Sequence, residues 1–166
     1  MRAAALDRRL INVGGVWGLD LLGAAGLLTS PDGWVAGQLG TGPLLDPSLL
    51  ISTEHGGGIT LAPSDTYTPL ATRAISLPLR TSQPPARVRA EAWARLVSAE
   101  TRTVYLTLAT RAGAANAVAR TISGTGWVHL VGVATPTADT WWTFRVVGSV
   151  GGPTMEVAGL RAAIIA

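Results

Sequence analysis

From Arg73 to the C-terminus the chain alternates apolar and polar side chains with a period of two, interrupted about every dozen residues by Gly, Pro, Ser or Thr. Successive side chains on a strand point to opposite faces, so this pattern calls for half-buried strands stacked into sheets. In Ala74–Arg80, Ile75, Leu77 and Leu79 share a face. In Arg87–Leu96, Val88, Ala90, Ala92, Ala94 and Leu96 face one way, and Arg87, Arg89, Glu91, Trp93 and Arg95 the other. Ala, Arg, Glu and Leu after Pro84-Pro85 are also good helix formers, which leaves a helix as the alternative there. Period two holds for ten residues while the 3.6-residue stripe is patchy, so strand is the better reading.

Thr103–Ala109 repeats the pattern with Val104, Leu106 and Leu108 inward, and Ala117–Ile122, Trp127–Ala134, Trp141–Val150 and Met155–Ile165 follow. Shorter strands are expected at Leu49–Thr53 and Gly58–Ala62. About nine strands with evenly spaced turns predict an all-β fold, an antiparallel β-sandwich of the jelly-roll kind. With 48% hydrophobic and only 14% charged residues, the chain has the balance of a folded domain and not of a disordered one. Residues 1–28 are rich in Ala, Leu and Gly and read as an extended apolar N-terminal arm, with the jelly roll in 29–166. Asp7, Asp20 and five interspersed glycines argue against a signal peptide or membrane helix in that arm.

The residue inventory excludes much chemistry. There is no Cys, hence no disulfide, thiolate metal site or cysteine nucleophile. All 13 basic residues are Arg, so the P-loop lysine is missing as well. Two histidines, His55 and His129, cannot build a His-rich metal site. His55-Gly56-Gly57-Gly58 matches the oxyanion-hole string of some lipases, but its partner G-x-S-x-G is absent, with Val147 standing where Ser149 would need a glycine. A glycine turn between two strands accounts for the string equally well. No cofactor, metal or catalytic constellation is expected, and the chain reads as non-enzymatic. Arg87, Arg89 and Arg95 line one strand face, but Glu91 and Trp93 interrupt them, so no nucleic-acid surface is expected either.

The six tryptophans are the residues best suited to recognition, because an indole stacks on sugar rings and also anchors protein interfaces. Trp142 shares a face with Phe144 and Val146, which reads as core, and Trp141 shares the other with Thr143 and Arg145, which reads as solvent or interface. Trp93 sits among arginines. Candidate interface or glycan-stacking residues are therefore Trp17, Trp34, Trp93, Trp141, Arg87, Arg89 and Arg95. His129 shares its face with Trp127, Val131 and Val133 and reads as a core-edge or interface histidine.

The succession Arg87-Val-Arg-Ala-Glu-Ala-Trp-Ala-Arg95, Thr103-Val-Tyr-Leu-Thr-Leu108 and Gly124-Thr-Gly-Trp-Val-His-Leu130, closed by Met155-Glu-Val-Ala-Gly-Leu-Arg161, resembles jelly rolls of the carbohydrate-binding-module type. Leu27-Leu-Thr-Ser-Pro-Asp-Gly-Trp34 is similar to the opening of such domains, where a loop delivers a tryptophan. The acidic pair that family often carries near a structural metal is reduced here to Glu156. Domains of this type also serve as capsid decoration or minor tail proteins of tailed phages. The resemblance thus implies a virion component assembled in the host cytoplasm, a homo-oligomer contacting capsid or tail proteins through its arm. The alternative it implies is a module that binds a glycan through exposed tryptophans.

Overall fold

The computed structural model describes residues 9–36, 43–63, 70–76, 87–110, 113–135 and 141–165, with backbone alone at 70, 73–76, 110, 141 and 142. Their strands are β1 (Leu10–Val13), β2 (Val16–Asp20), β3 (Leu50–Thr53), β4 (Gly56–Leu61), β5 (Leu70–Ser76), β6 (Arg87–Leu96), β7 (Thr101–Thr110), β8 (Gly113–Ser123), β9 (Val128–Ala134), β10 (Trp141–Gly148) and β11 (Met155–Ile165). Short 3₁₀ turns occupy Gly23–Leu27 and Pro47–Leu49.

All the pairings are antiparallel and build two sheets, one of seven strands and one of four in the order β5-β10-β7-β8. In the seven-stranded sheet the long β11 pairs along one side with β6, which pairs in turn with β9. Its other side is shared: β4 takes Met155–Ala158 and β2 takes Ala163 and Ile164. From β6 onward the chain crosses from the seven-stranded sheet to β7 and β8, back to β9, over to β10 and back to β11. Such repeated crossing is what makes the sandwich a jelly roll.

The alternation predicted from sequence sets the core. Val88, Ala90, Ala92, Ala94 and Leu96 of β6 are buried, as are Val104, Leu106 and Leu108 of β7, and Phe144 and Val146 of β10. Arg87–Leu96 is therefore a strand, since only a period of two puts those five residues on one face. Of the strand expected at Ala74–Arg80, the first three residues belong to β5, while 77–80 lie outside the described residues.

Two expectations are corrected, and the N-terminal stretch is placed in part: of residues 1–28, β1 and β2 are strands of the seven-stranded sheet. The β1–β2 hairpin docks through β2 on β11, and Val13, Leu21, Leu22 and Leu28 are buried. A run this apolar is stabilised by covering it, and the domain's own sheet does so. Trp34 is 0% exposed, and its Nε1 donates to the Ala25 carbonyl at 2.8 Å, so it anchors the core and offers no face to a ligand. Thr143 is likewise 0% exposed and donates to the Ala109 carbonyl, so the β10 face it shares with Arg145 is not open to solvent at that point.

Candidate functional site

The outward face of β6 is covered by its neighbours. Trp93 lies across from His129 of β9 and beside Ala158 of β11. His129 stacks on its indole with ring centroids 4.4 Å apart. His55, from the turn between β3 and β4, stacks at 4.0 Å and 7°. Because β9 and the β3–β4 turn lie on opposite sides of β6, the two imidazoles cover both faces of the indole. His55 also meets Trp127 edge-on at 5.2 Å, and the Arg95 guanidinium lies 4.5 Å over that ring. Arg95 Nε donates to Glu156 Oε1 at 2.7 Å, and His129 Nε2 and Glu91 Oε2 are 2.8 Å apart.

The β3–β4 turn can bring His55 there because its surroundings are small. Thr53 Oγ1 accepts from the His55 amide and donates to the Gly56 carbonyl, which closes the turn. A Cβ on Gly57 would meet the Leu27 carbonyl, so this glycine lets the 3₁₀ turn pack close. The glycine string thus has a structural reason: it lets the turn place His55 on Trp93 and the 3₁₀ turn pack beside Gly57. On β11 the pairing with β6 shifts between Ala158 and Arg161. There Gly159 has φ +62°, and a Cβ would come to 2.9 Å from the His55 carbonyl and 3.2 Å from Trp93 Cδ1. Gly159→Val is expected to lose about 1–2 kcal/mol from the left-handed backbone, and to weaken the near-ultraviolet circular dichroism of the stacked indole. An unchanged spectrum and melting midpoint would show that the bulge does not hold the stack.

The β1–β2 hairpin lies over the same sheet face. Arg89 reaches up from β6, its Nε and Nη2 donating to the Val13 and Gly14 carbonyls at 2.7 and 2.8 Å. Arg161 Nη1 of β11 donates to the Asn12 carbonyl at 3.2 Å. Between the hairpin, the Gly23–Leu27 turn and His55 runs an open groove of ≈ 1070 Å³, and a side chamber of ≈ 430 Å³ reaches Trp93 and His129. Asn12, His55, Gly159 and Arg161 line both parts. At the groove's mouth stands Trp17, 66% exposed and paired across the hairpin with Asn12. Among the described residues two carboxylates border the groove and both are engaged: Glu91 with His129, and Asp20 Oδ1 with the amides of Leu22 and Gly23.

The seven candidates from sequence therefore separate. Trp17 has a free indole beside the groove, Trp34 is core, and Trp93 has both faces covered. Arg89 and Arg95 are tied to hairpin carbonyls and to Glu156. Arg87 sits at the start of β6, opposite Ile165. The Trp141 side chain lies outside the described residues; its backbone pairs with Ser76 at the end of β10. Sequence reasoning missed Arg161, Asn12 and the role of His55. The one signal that could have flagged His55 was the glycine run behind it. Among the described residues no three His, Asp or Glu side chains gather to hold a metal ion, and no helix is long and apolar enough to cross a membrane.

No family model and no curated protein matches this sequence. Solved structures do. TmCBM61, determined in complex with beta-1,4-galactotriose, superposes with a TM-score of 0.56 at 10% identity, covering 88% of this chain and 99% of that one. The fold is that of a carbohydrate-binding-module jelly roll. A xylan-binding domain of carbohydrate-binding-module family 22 gives 0.56 at 17% identity over 87% of this chain and 92% of its own. The C-terminal family 22 module of Clostridium thermocellum Xyn10B gives 0.55 at 16%, over 87% and 90%. Identities this low speak for the jelly roll alone.

Proposed function

We propose that this chain is a non-catalytic glycan-binding module whose ligand lies along the groove between the β1–β2 hairpin, the Gly23–Leu27 turn and His55. The observation that carries this reading is Trp17, a free indole at the mouth of an open groove whose floor presents the Arg161 guanidinium. Sugars bind through such pairings, an apolar ring face on an aromatic platform with hydroxyls on planar polar groups. The jelly-roll likeness supports it, since one of the similar modules was determined in complex with beta-1,4-galactotriose and another is a xylan-binding domain. Engagement of both groove carboxylates supports binding without hydrolysis, because a glycosidase needs an acid and a base free to act on the ligand. The expected virion role drew in part on a free apolar arm, whereas β1 and β2 of that stretch are strands of the sheet.

The test is affinity electrophoresis and calorimetry against a panel that includes beta-1,4-galactan and xylan, with wild type and Trp17→Ala. Removing a central aromatic anchor is expected to weaken binding by about 2 kcal/mol, or about 30-fold, with the melting midpoint unchanged. A Trp17→Ala protein that binds as wild type would exclude this groove, and failure of the wild type on the whole panel would exclude the function.

A further inference from the structure

We infer that the groove selects glycans bearing carboxylates, that is, hexuronate residues, and that Arg161 is the residue that reads them; this rests on the glycan-binding reading above. The argument begins with how Arg161 is held. Its Nη1 donates to the Asn12 carbonyl at 3.2 Å, which turns the guanidinium toward the hairpin. Among the described residues its Nε and Nη2 donate to nothing, and no carboxylate lies within ion-pair distance of it. That free edge is a planar fork of two N–H groups, the geometry that takes a carboxylate in two parallel hydrogen bonds.

Among the described residues the groove's carboxylates are engaged elsewhere and do not fill the fork. Glu91, which faces Arg161 across the β6–β11 pairing, holds His129 instead, and Asp20 is turned onto the Leu22 and Gly23 amides. Arg89, bound by hairpin carbonyls, and Arg9 at the groove's outer end add positive charge without a carboxylate partner among the described residues. Asn12 ties the two halves of the site together: its carbonyl orients Arg161, and its strand partner is Trp17. A sugar ring on the Trp17 indole would place a neighbouring ring's C6 carboxylate within the groove that Arg161 floors. Neutral hexoses offer this edge only hydroxyl oxygens, whose hydrogen bonds to it lack the charge of a carboxylate and are weaker.

The probes are oligogalacturonate and oligomannuronate, each with its methyl ester, which has the same backbone without the charge. Wild type is expected to bind at least one acid about tenfold or more tighter than its ester, with a preference that shrinks as salt rises. Arg161→Gln should erase the preference, Arg161→Lys should keep only part of it, and Trp17→Ala should weaken acid and ester alike. Circular dichroism confirms that each variant is folded. Equal binding of acid and ester, or a preference that survives Arg161→Gln, overturns the inference. Trp17-dependent binding of galactan or xylan with no response to either uronate overturns it while leaving the glycan-binding reading in place. Silence on every glycan removes both.

Discussion

Replacing Arg102 by methionine is expected to destabilise the domain by about 3–5 kcal/mol, because several carbonyls at the end of the sandwich lose a charge-assisted donor, each at about 1–3 kcal/mol and partly offset by water. Arg102 is 2% exposed and lies on β7 on the same face as the core residues Val104 and Leu106. Its guanidinium reaches the end of the sandwich, where it donates to four carbonyls: Ser149 at 2.9 Å, Leu61 at 2.7 Å, and Pro153 and Ala62 both at 3.2 Å. These carbonyls follow β4 and β10, so one side chain ties strands of both sheets together at that end. Burial lowers the arginine's pKa from its ordinary value, yet the group stays charged at any physiological pH. Methionine conserves most of the stem volume and removes the donors, so the loss would report the hydrogen bonds and not a cavity. The neighbouring Gly148 leaves room for the guanidinium, since a Cβ there would sit 2.7 Å from its Cζ. Urea unfolding followed by circular dichroism should show a lower midpoint at unchanged slope, and heating a drop of about 10–15 °C. A shift below about 1 kcal/mol would mean that water replaces the guanidinium at little cost.

A comparable loss, about 3–5 kcal/mol, is expected for Trp34→Ala. The indole is wholly buried in the main core cluster, and its Nε1 is satisfied by Ala25. Alanine leaves a cavity the size of two rings, and the surrounding sheets are too tightly paired to close over it. Trp34→Phe separates the two contributions: it keeps much of the packing and leaves the Ala25 carbonyl without its donor, for an expected loss of about 2 kcal/mol. Glycan binding normalised to folded protein should be unchanged in both variants, because Trp34 does not reach the groove. A binding defect in folded Trp34→Phe would contradict the assignment of Trp34 to the core.

The contrast between Trp34 and Trp17 shows what could be read in advance. Both are tryptophans in apolar or turn-rich stretches near the N-terminus, and both were reasonable ligand platforms by residue type. Which is buried depends on where the 3₁₀ turn at Gly23–Leu27 and the β1–β2 hairpin come to rest, and neither carries a periodic signal long enough to place it. Trp93 illustrates the same limit. Its outward position on β6 followed from the alternation, but its two imidazole partners come from a turn and a strand distant in sequence, and their approach depends on the bulge at Gly159.

The sequence by itself determined the existence of the strands from β6 to β11 and the core-facing side of β6 and β7, because side-chain alternation is a local property of the extended chain; on β9 the buried side is that of Leu130 and Ala134, opposite His129, Val131 and Val133, and on β11 both sides are buried. It also determined that thiolate chemistry is absent. Only the tertiary structure decided that β1 and β2 join the sheet, that Trp34 is buried while Trp17 is exposed, and that Asn12, Trp17 and Arg161 meet around one groove. Those outcomes depend on β11 sharing one edge between β4 and β2, a pairing between distant segments that no local pattern encodes.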